Sequence, residues 1–267
     1  MFKDLSKSDK RILIFAIVST LIVVSITAFI YISDMDISID IDTNKPKYIG
    51  STKTVSNLSH DGHESNTNII YVRENDDYVP YIVLTNYYNN KTLLLRQYVL
   101  NEKRVINNYF SYYPSSSVDR FLNNVFINQL TDLKDKIVDS DITVLSRSAI
   151  NNETLETETV SRKVFLLSTT ELDLDDVDIE GTPLSYFLDR ENRIAYNGSE
   201  KAQWWLRTPD TADKNVTYSI NGNNVVIAEE SDKELYVRPA FCVDPSLKIR
   251  QRTDIQNRKK LWTFVVD

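Results

Sequence analysis

The sequence predicts an α+β domain of mixed, mostly antiparallel sheets with one main helix, preceded by a single N-terminal transmembrane helix. Three observations carry this. Residues 12–32 run ILIFAIVSTLIVVSITAFIYI without a charge. A stretch after Pro114 repeats its apolar residues at helical spacing. The segments before it and well after it read as strands, so strands come first, the helix sits in the middle and antiparallel strands come last.

The uncharged run comes first in the chain. At about 1.5 Å per residue it matches the roughly 30 Å hydrocarbon core of a bilayer. Lys3, Lys7, Lys10 and Arg11 precede it, while Asp34 and Asp36 follow. The positive flank predicts a cytoplasmic N-terminus, with residues 33–267 extracellular. The run lacks a small-x-small cleavage site and no cysteine follows it for a lipid, so an uncleaved signal anchor is expected. The expected layout is a cytoplasmic tail (1–11), the anchor (12–32), a strand and polar stalk (33–68), one folded domain (69–250) and a C-terminal strand or tail (251–267).

In the stalk, 35–42 alternates apolar and polar residues as a half-buried strand does, and 43–68 is polar. In the domain, 69–73, 79–85 and 92–98 read as strands, with a turn at 86–90 that makes the last two a hairpin. Ser116 and Asp119 resemble a capping box, and Val118, Phe121, Leu122, Val125, Phe126 and Leu130 then line one helical face. A short strand is expected at 142–145, a loop at 151–161 and a buried strand at 163–168. Ser168 and Glu171 form a second capping-box match that opens a short helix. From Trp204 the pattern is strand at 204–208, 216–220, 225–228 and 235–243, with a hairpin around Asn221-Gly222 and a closing strand at 260–266.

Composition bounds the function. The chain has 267 residues, a net charge of −7 and one cysteine. The charge and the lack of a basic stripe argue against nucleic acid as a partner. A single cysteine excludes an internal disulfide, and the sequence contains no P-loop, dinucleotide fingerprint or zinc-type Cys/His spacing.

The order of YIVLTN (81–86), LLLRQY (93–98), FLNNVF (121–126), KVFLLSTTEL (163–172), WWLRTP (204–209) and VRPAF (237–241) resembles a family of uncharacterised bacterial surface domains from Firmicutes. The resemblance covers about residues 69–249. Its closing motifs look similar to the end of the C-type-lectin-like fold, in particular the sulfatase-modifying group, and so imply a C-type-lectin-like scaffold. The activity of that group does not carry over, because its cysteine pair is represented here by Cys242 alone. Position 236, often glycine in the family, is Tyr236.

Candidate residues follow from chemistry and pattern. Strand alternation puts Trp205 and Arg207 on one face, and Arg238 shares a face with Ala240 and Cys242. Arg207 and Arg238 suit a carboxylate or a sugar hydroxyl, with Trp205 as a stacking platform. The competing reading has the tryptophans filling the core and the arginines bonding buried acids or carbonyls. Asp173, Asp175, Asp176 and Asp178, with Glu180, form an acidic run that offers oxygens to Ca²⁺, although the spacing departs from an EF-hand and such a run is usually a solvated loop. Otherwise no cofactor is expected. His60 and His63 sit beside Asp61 and Glu64 but in the polar lead-in, where nothing orients them as metal ligands. The expectation is a membrane-anchored extracellular binding or interaction module for an unknown ligand, glycan or protein. A cell-envelope enzyme and a structural part of a surface assembly are the alternatives. The loops 210–215 and 221–224 are the places where the sheet would present function.

Overall fold

The computed structural model describes residues 46–61, 67–174, 179–253, 255 and 259–266. They fall in one compact unit, Pro46–Asp267. The strands, in chain order, are β1 (Tyr48–Thr54), β2 (Ile69–Glu74), β3 (Asp77–Tyr88), β4 (Lys91–Arg96), β5 (Ile137–Val138), β6 (Ser140–Leu145), β7 (Thr157–Arg162), β8 (Val164–Phe165), β9 (Ala195–Asn197), β10 (Glu200–Ala202), β11 (Trp204–Pro209), β12 (Val216–Ile220), β13 (Val226–Glu230), β14 (Ala240–Val243), β15 (Lys248–Arg252) and β16 (Leu261–Phe264). Among the described residues two short α-helices accompany them, α1 (Ser117–Asn124) and α2 (Arg147–Asn152).

The largest sheet runs β1-β15-β16-β2-β3-β4-β14-β5, with β8 also paired to β14. Its pairings are antiparallel except at β16 and β2, which meet in parallel through Thr263 and Tyr71. A separate three-stranded sheet orders β11-β12-β13, and β6-β7 and β9-β10 are two-stranded ribbons.

This architecture corrects the expected α+β, C-type-lectin-like fold. Strand outweighs helix, 41% to 17%, and the main sheet curls into a half-barrel. The main helix is shorter than its apolar spacing suggests. Ser116 caps it by accepting from Asp119 N at 3.2 Å. It ends at Val125, and a 3₁₀ turn, Phe126–Gln129, takes over the burial of Phe126. Apolar residues at helical spacing can also be buried by two short pieces that meet at an angle, so the spacing overstated the helix. A second correction concerns the sheets. Residues 204–208 and 237–243, expected in one sheet, do not share one: Trp204–Pro209 pairs with β12, while Ala240–Val243 lies in the main sheet beside β4, and Trp204 makes only an isolated parallel bridge to Tyr236.

Two polar segments became strands. Residues 157–161, expected as part of a loop, form most of β7 against β6, with an exposed/half-buried alternation that carries almost no hydrophobic signal. Part of the expected stalk forms β1 at the sheet edge and a 3₁₀ turn, Val55–Leu58, that buries Val55 and Leu58 in the core. The strand expected at 35–42 lies outside the described residues.

The membrane expectation is corrected as well. Among the described residues no helix is long and apolar enough to cross a membrane. The span expected at 12–32 lies outside them, so the single-pass placement has no support in the structure.

The core is continuous from Val55 to Phe264. It includes Trp204, Trp205, Phe165, Phe241 and the strands Leu93–Leu95 and Val164–Leu167, all essentially without exposure. Tyr81 packs on Phe241 at 5.2 Å between ring centres, and Tyr88 stacks on Phe165 at 5.6 Å.

Candidate functional site

An open cleft of ≈730 Å³ lies where three parts of the chain meet. The first is the end of β3 and its turn, which supply Thr85, Tyr87, Tyr88 and Asn89. The second is β6, which supplies Asp141 and Thr143. The third is the segment 179–185, facing Asp61. The turn is built by Asn89 and Asn90, both left-handed at φ 52 and 60, a two-residue connection whose twist suits antiparallel strands. Residues 86–88, expected in the turn, instead continue the strand and carry Tyr87 outward. Asn89 Nδ2 donates to the backbone oxygen of Asp141 at 2.7 Å, pinning the turn to β6. Ser185 Oγ donates to Asp61 Oδ1 and so ties the third part to the residue that faces it.

The wall behind the cleft is a buried ion network. Tyr88 lines the cleft, and its hydroxyl donates to Glu171 Oε1 at 2.6 Å. Arg207 forks onto the same carboxylate, Nη1 to Oε2 at 2.6 Å and Nη2 to Oε1 at 3.0 Å. The rest of its guanidinium donates to Leu166 O at 2.9 Å, Glu180 O at 2.8 Å and Thr143 O at 3.1 Å. Those five bonds match the five N–H groups that an arginine has. Burial alone would lower the Arg207 pKa, but the adjacent Glu171 carboxylate outweighs it and holds the group up. Gly181 lets the segment close over this network. Its φ is +120, and a Cβ there would sit 3.3 Å from Glu171 Cγ.

Glu180 is the second buried acid. Its Oε1 accepts from Leu145 N at 2.8 Å, and its Oε2 accepts from Thr208 Oγ1. Burial raises its carboxyl above the usual range, against the opposing pull of Arg207 and of those two bonds.

The sequence-derived candidates fall as follows. Trp205 and Arg207 have no exposure. The Trp205 indole donates to Arg104 O at 2.8 Å. Arg238 is equally internal. It donates to Arg96 O at 2.9 Å and lies 5.1 Å from the centre of the Trp204 ring, while its Nη1 has no partner. Burial pushes Arg238 down to about 10, the mark of a cation without a counter-charge, though it stays charged at neutral pH. Asp173 sits left-handed at φ 55 with its carboxylate 3.5 Å from Arg193 Nη2. Asp175, Asp176 and Asp178 lie outside the described residues, as does His63. Among the described residues no three His, Cys, Asp or Glu side chains cluster as a metal would require. His60 packs edge-on against Tyr186 at 5.2 Å. Cys242 is buried, and burial pushes its thiol up to about 12, which leaves it unreactive at neutral pH.

The cleft itself escaped the sequence. Its one usable signal was the YYNN run at 87–90, where adjacent aromatics precede two residues suited to left-handed turns. Of the loops singled out beforehand, neither 210–215 nor 221–224 lines it. Asn215 instead borders a separate depression of ≈220 Å³ beside Tyr109.

Fold and site together define a β-sheet domain with an open polar cleft braced by a buried arginine–carboxylate pair. The chain belongs to the family described as a domain of unknown function, DUF6273, whose profile matches residues 89–245. That supports the resemblance at the level of an uncharacterised domain. The comparisons produced no likeness to C-type lectins or to sulfatase-modifying factors. No curated protein matches the chain, and no solved structure does.

Proposed function

We propose that this domain is a binding module and that the Tyr87 cleft holds a polyhydroxylated ligand, a glycan. The observation that carries the reading is Tyr87. Its side chain is 80% exposed at the mouth of a cleft otherwise lined by hydrogen-bonding groups, including Thr85, Asn89, Thr143, Thr182 and Ser185. An exposed aromatic face receives the C–H side of a sugar ring, while short neutral polar side chains exchange hydrogen bonds with its hydroxyls. The wall behind is internally satisfied and rigid, so the cleft is preformed and little ordering cost falls on binding.

Binding is favoured over catalysis by the disposition of the reactive groups. Ser185 donates to Asp61 rather than to an imidazole, so its hydroxyl is not activated as a nucleophile. The acid with the raised pKa, Glu180, is fully enclosed behind the wall.

The test is a glycan array probed with the full chain and with Tyr87→Ala. Specific binding that is lost in Tyr87→Ala supports the reading. Binding that survives Tyr87→Ala but disappears with changes at Tyr109 moves the site to the Asn215 depression. An array without signal removes the reading.

A further inference from the structure

Resting on that reading, we propose that the cleft selects amino sugars, glycans with a free ammonium group, and that Asp141 receives the ammonium with Asp61 as the second carboxylate. The lining has a one-sided charge. Asp61 and Asp141 are acidic, and among the described residues none that borders the cleft is Lys or Arg. The wall behind does not reverse this, because the Glu171 carboxylate pairs with Arg207. A ligand in the cleft therefore sits in a negative field focused between low-dielectric walls.

The two carboxylates are held differently. Asp61 is oriented by the Ser185 hydroxyl. Asp141 is fixed by its backbone, whose carbonyl takes the Asn89 bond at 2.7 Å, while the residue itself is exposed on β6. Its carboxylate is thus free to pair with a ligand cation. Tyr87 adds an aromatic face that attracts a cation as well as a sugar ring. Neutral hydroxyls would use the Thr, Ser and Asn groups equally in any sugar, so the carboxylates are what separates an amine from a hydroxyl. Acylating the amine removes the charge and with it the preference. Two solvent-facing ion pairs and a cation–aromatic contact together amount to about a tenfold preference at low salt. Screening should erode most of it at high salt.

The experiment measures binding of the full chain to a glucosamine tetramer, to the N-acetylated tetramer and to cellotetraose, by calorimetry at low and high salt. The glucosamine tetramer is expected to bind about tenfold more tightly than either neutral sugar at low salt. That margin should shrink with salt, fall in Asp141→Asn, and fall further when Asp61→Asn is added. Far-UV circular dichroism of Asp141→Asn checks that the fold is retained. Equal binding of all three sugars, or a preference undiminished in Asp141→Asn, overturns amine selection and leaves the glycan cleft standing. Binding of none overturns the glycan reading itself. A tetralysine peptide that binds as tightly as the amino sugar also overturns the proposal, because the cleft would then recognise ammonium groups without the sugar.

Discussion

Arg207 shows how a residue that looks like a ligand contact can be internal cement. Its place in WWLRTP and the chemistry of a planar guanidinium allowed a recognition role, beside the reading in which the arginine bonds buried acids or carbonyls. The partner that decides otherwise, Glu171, was visible only as a capping-box residue. It does perform that reciprocal capping, accepting from Ser168 N at 3.0 Å while its own N–H donates to Ser168 Oγ at 3.0 Å. Its distance of 36 residues from Arg207 in sequence hid the ion pair. Removing one partner strands the other in the core, so Arg207→Met should cost about 3–5 kcal/mol. Urea denaturation should show this, and the double change with Glu171→Gln should cost clearly less than the sum of the two single changes. Glu180 yields a prediction with a definite sign. Its native pKa lies above the ordinary carboxyl value of 4.5, so between the two values the native state holds a proton that the unfolded chain has released. Stability from this group is therefore gained as pH falls from neutral towards the unfolded pKa and lost as pH rises through the native one. The melting temperature of the wild type minus that of Glu180→Gln should increase on acidification across that window. A flat or declining difference would contradict the assignment.

At the scale of elements, strands with an apolar face were legible and polar ones were not. The buried runs at 163–168 and 204–208 announced themselves by hydrophobicity. β7 has only a weakly buried face, and β1 lies at a sheet edge, so neither needed the alternation by which strands are recognised. The β3–β4 turn is the element on which the cleft depends most. Asn90 has φ 60, a region costly for branched side chains. Asn90→Val should destabilise the domain by about 1–2 kcal/mol and weaken glycan binding, while Asn90→Gly should be tolerated. Thermal unfolding and the array give the two readouts. Loss of stability without loss of binding would mean that the turn does not shape the site.

For the whole molecule, the family match and the folded unit have different extents. The matched segment, 89–245, contains β4 and β14 but stops short of β3, β2, β16, β15 and β1, the strands that continue the same sheet. β4 would lose its partner β3 along the register from Tyr81↔Arg96 to Tyr88↔Lys91, exposing Leu93, Leu94 and Leu95. The isolated segment 89–245 should therefore fail to unfold cooperatively, whereas residues 46–267 should melt in a single transition. Calorimetry on the two separates the cases. Sequence reasoning placed the start of the domain near residue 69 because 43–68 is polar. Val55 and Leu58, two apolar residues in a polar run, were too few to register, yet both fill the core.

The parallel seam between β16 and β2 has a consequence in time. β16 is last in chain order, but it lies between β15 and β2 and joins the strand pair β1-β15 to the rest of the sheet. On the ribosome, β2 would wait through the synthesis of nearly two hundred residues before the neighbour on its open side emerged. Pairings between such remote parts of a chain are the slow ones to form. Until then a strand with an unsatisfied edge stands ready to pair with another molecule. This fold should therefore be most vulnerable to aggregation while it is nascent, and its yield should depend on chaperones more than the stability of the finished domain would suggest.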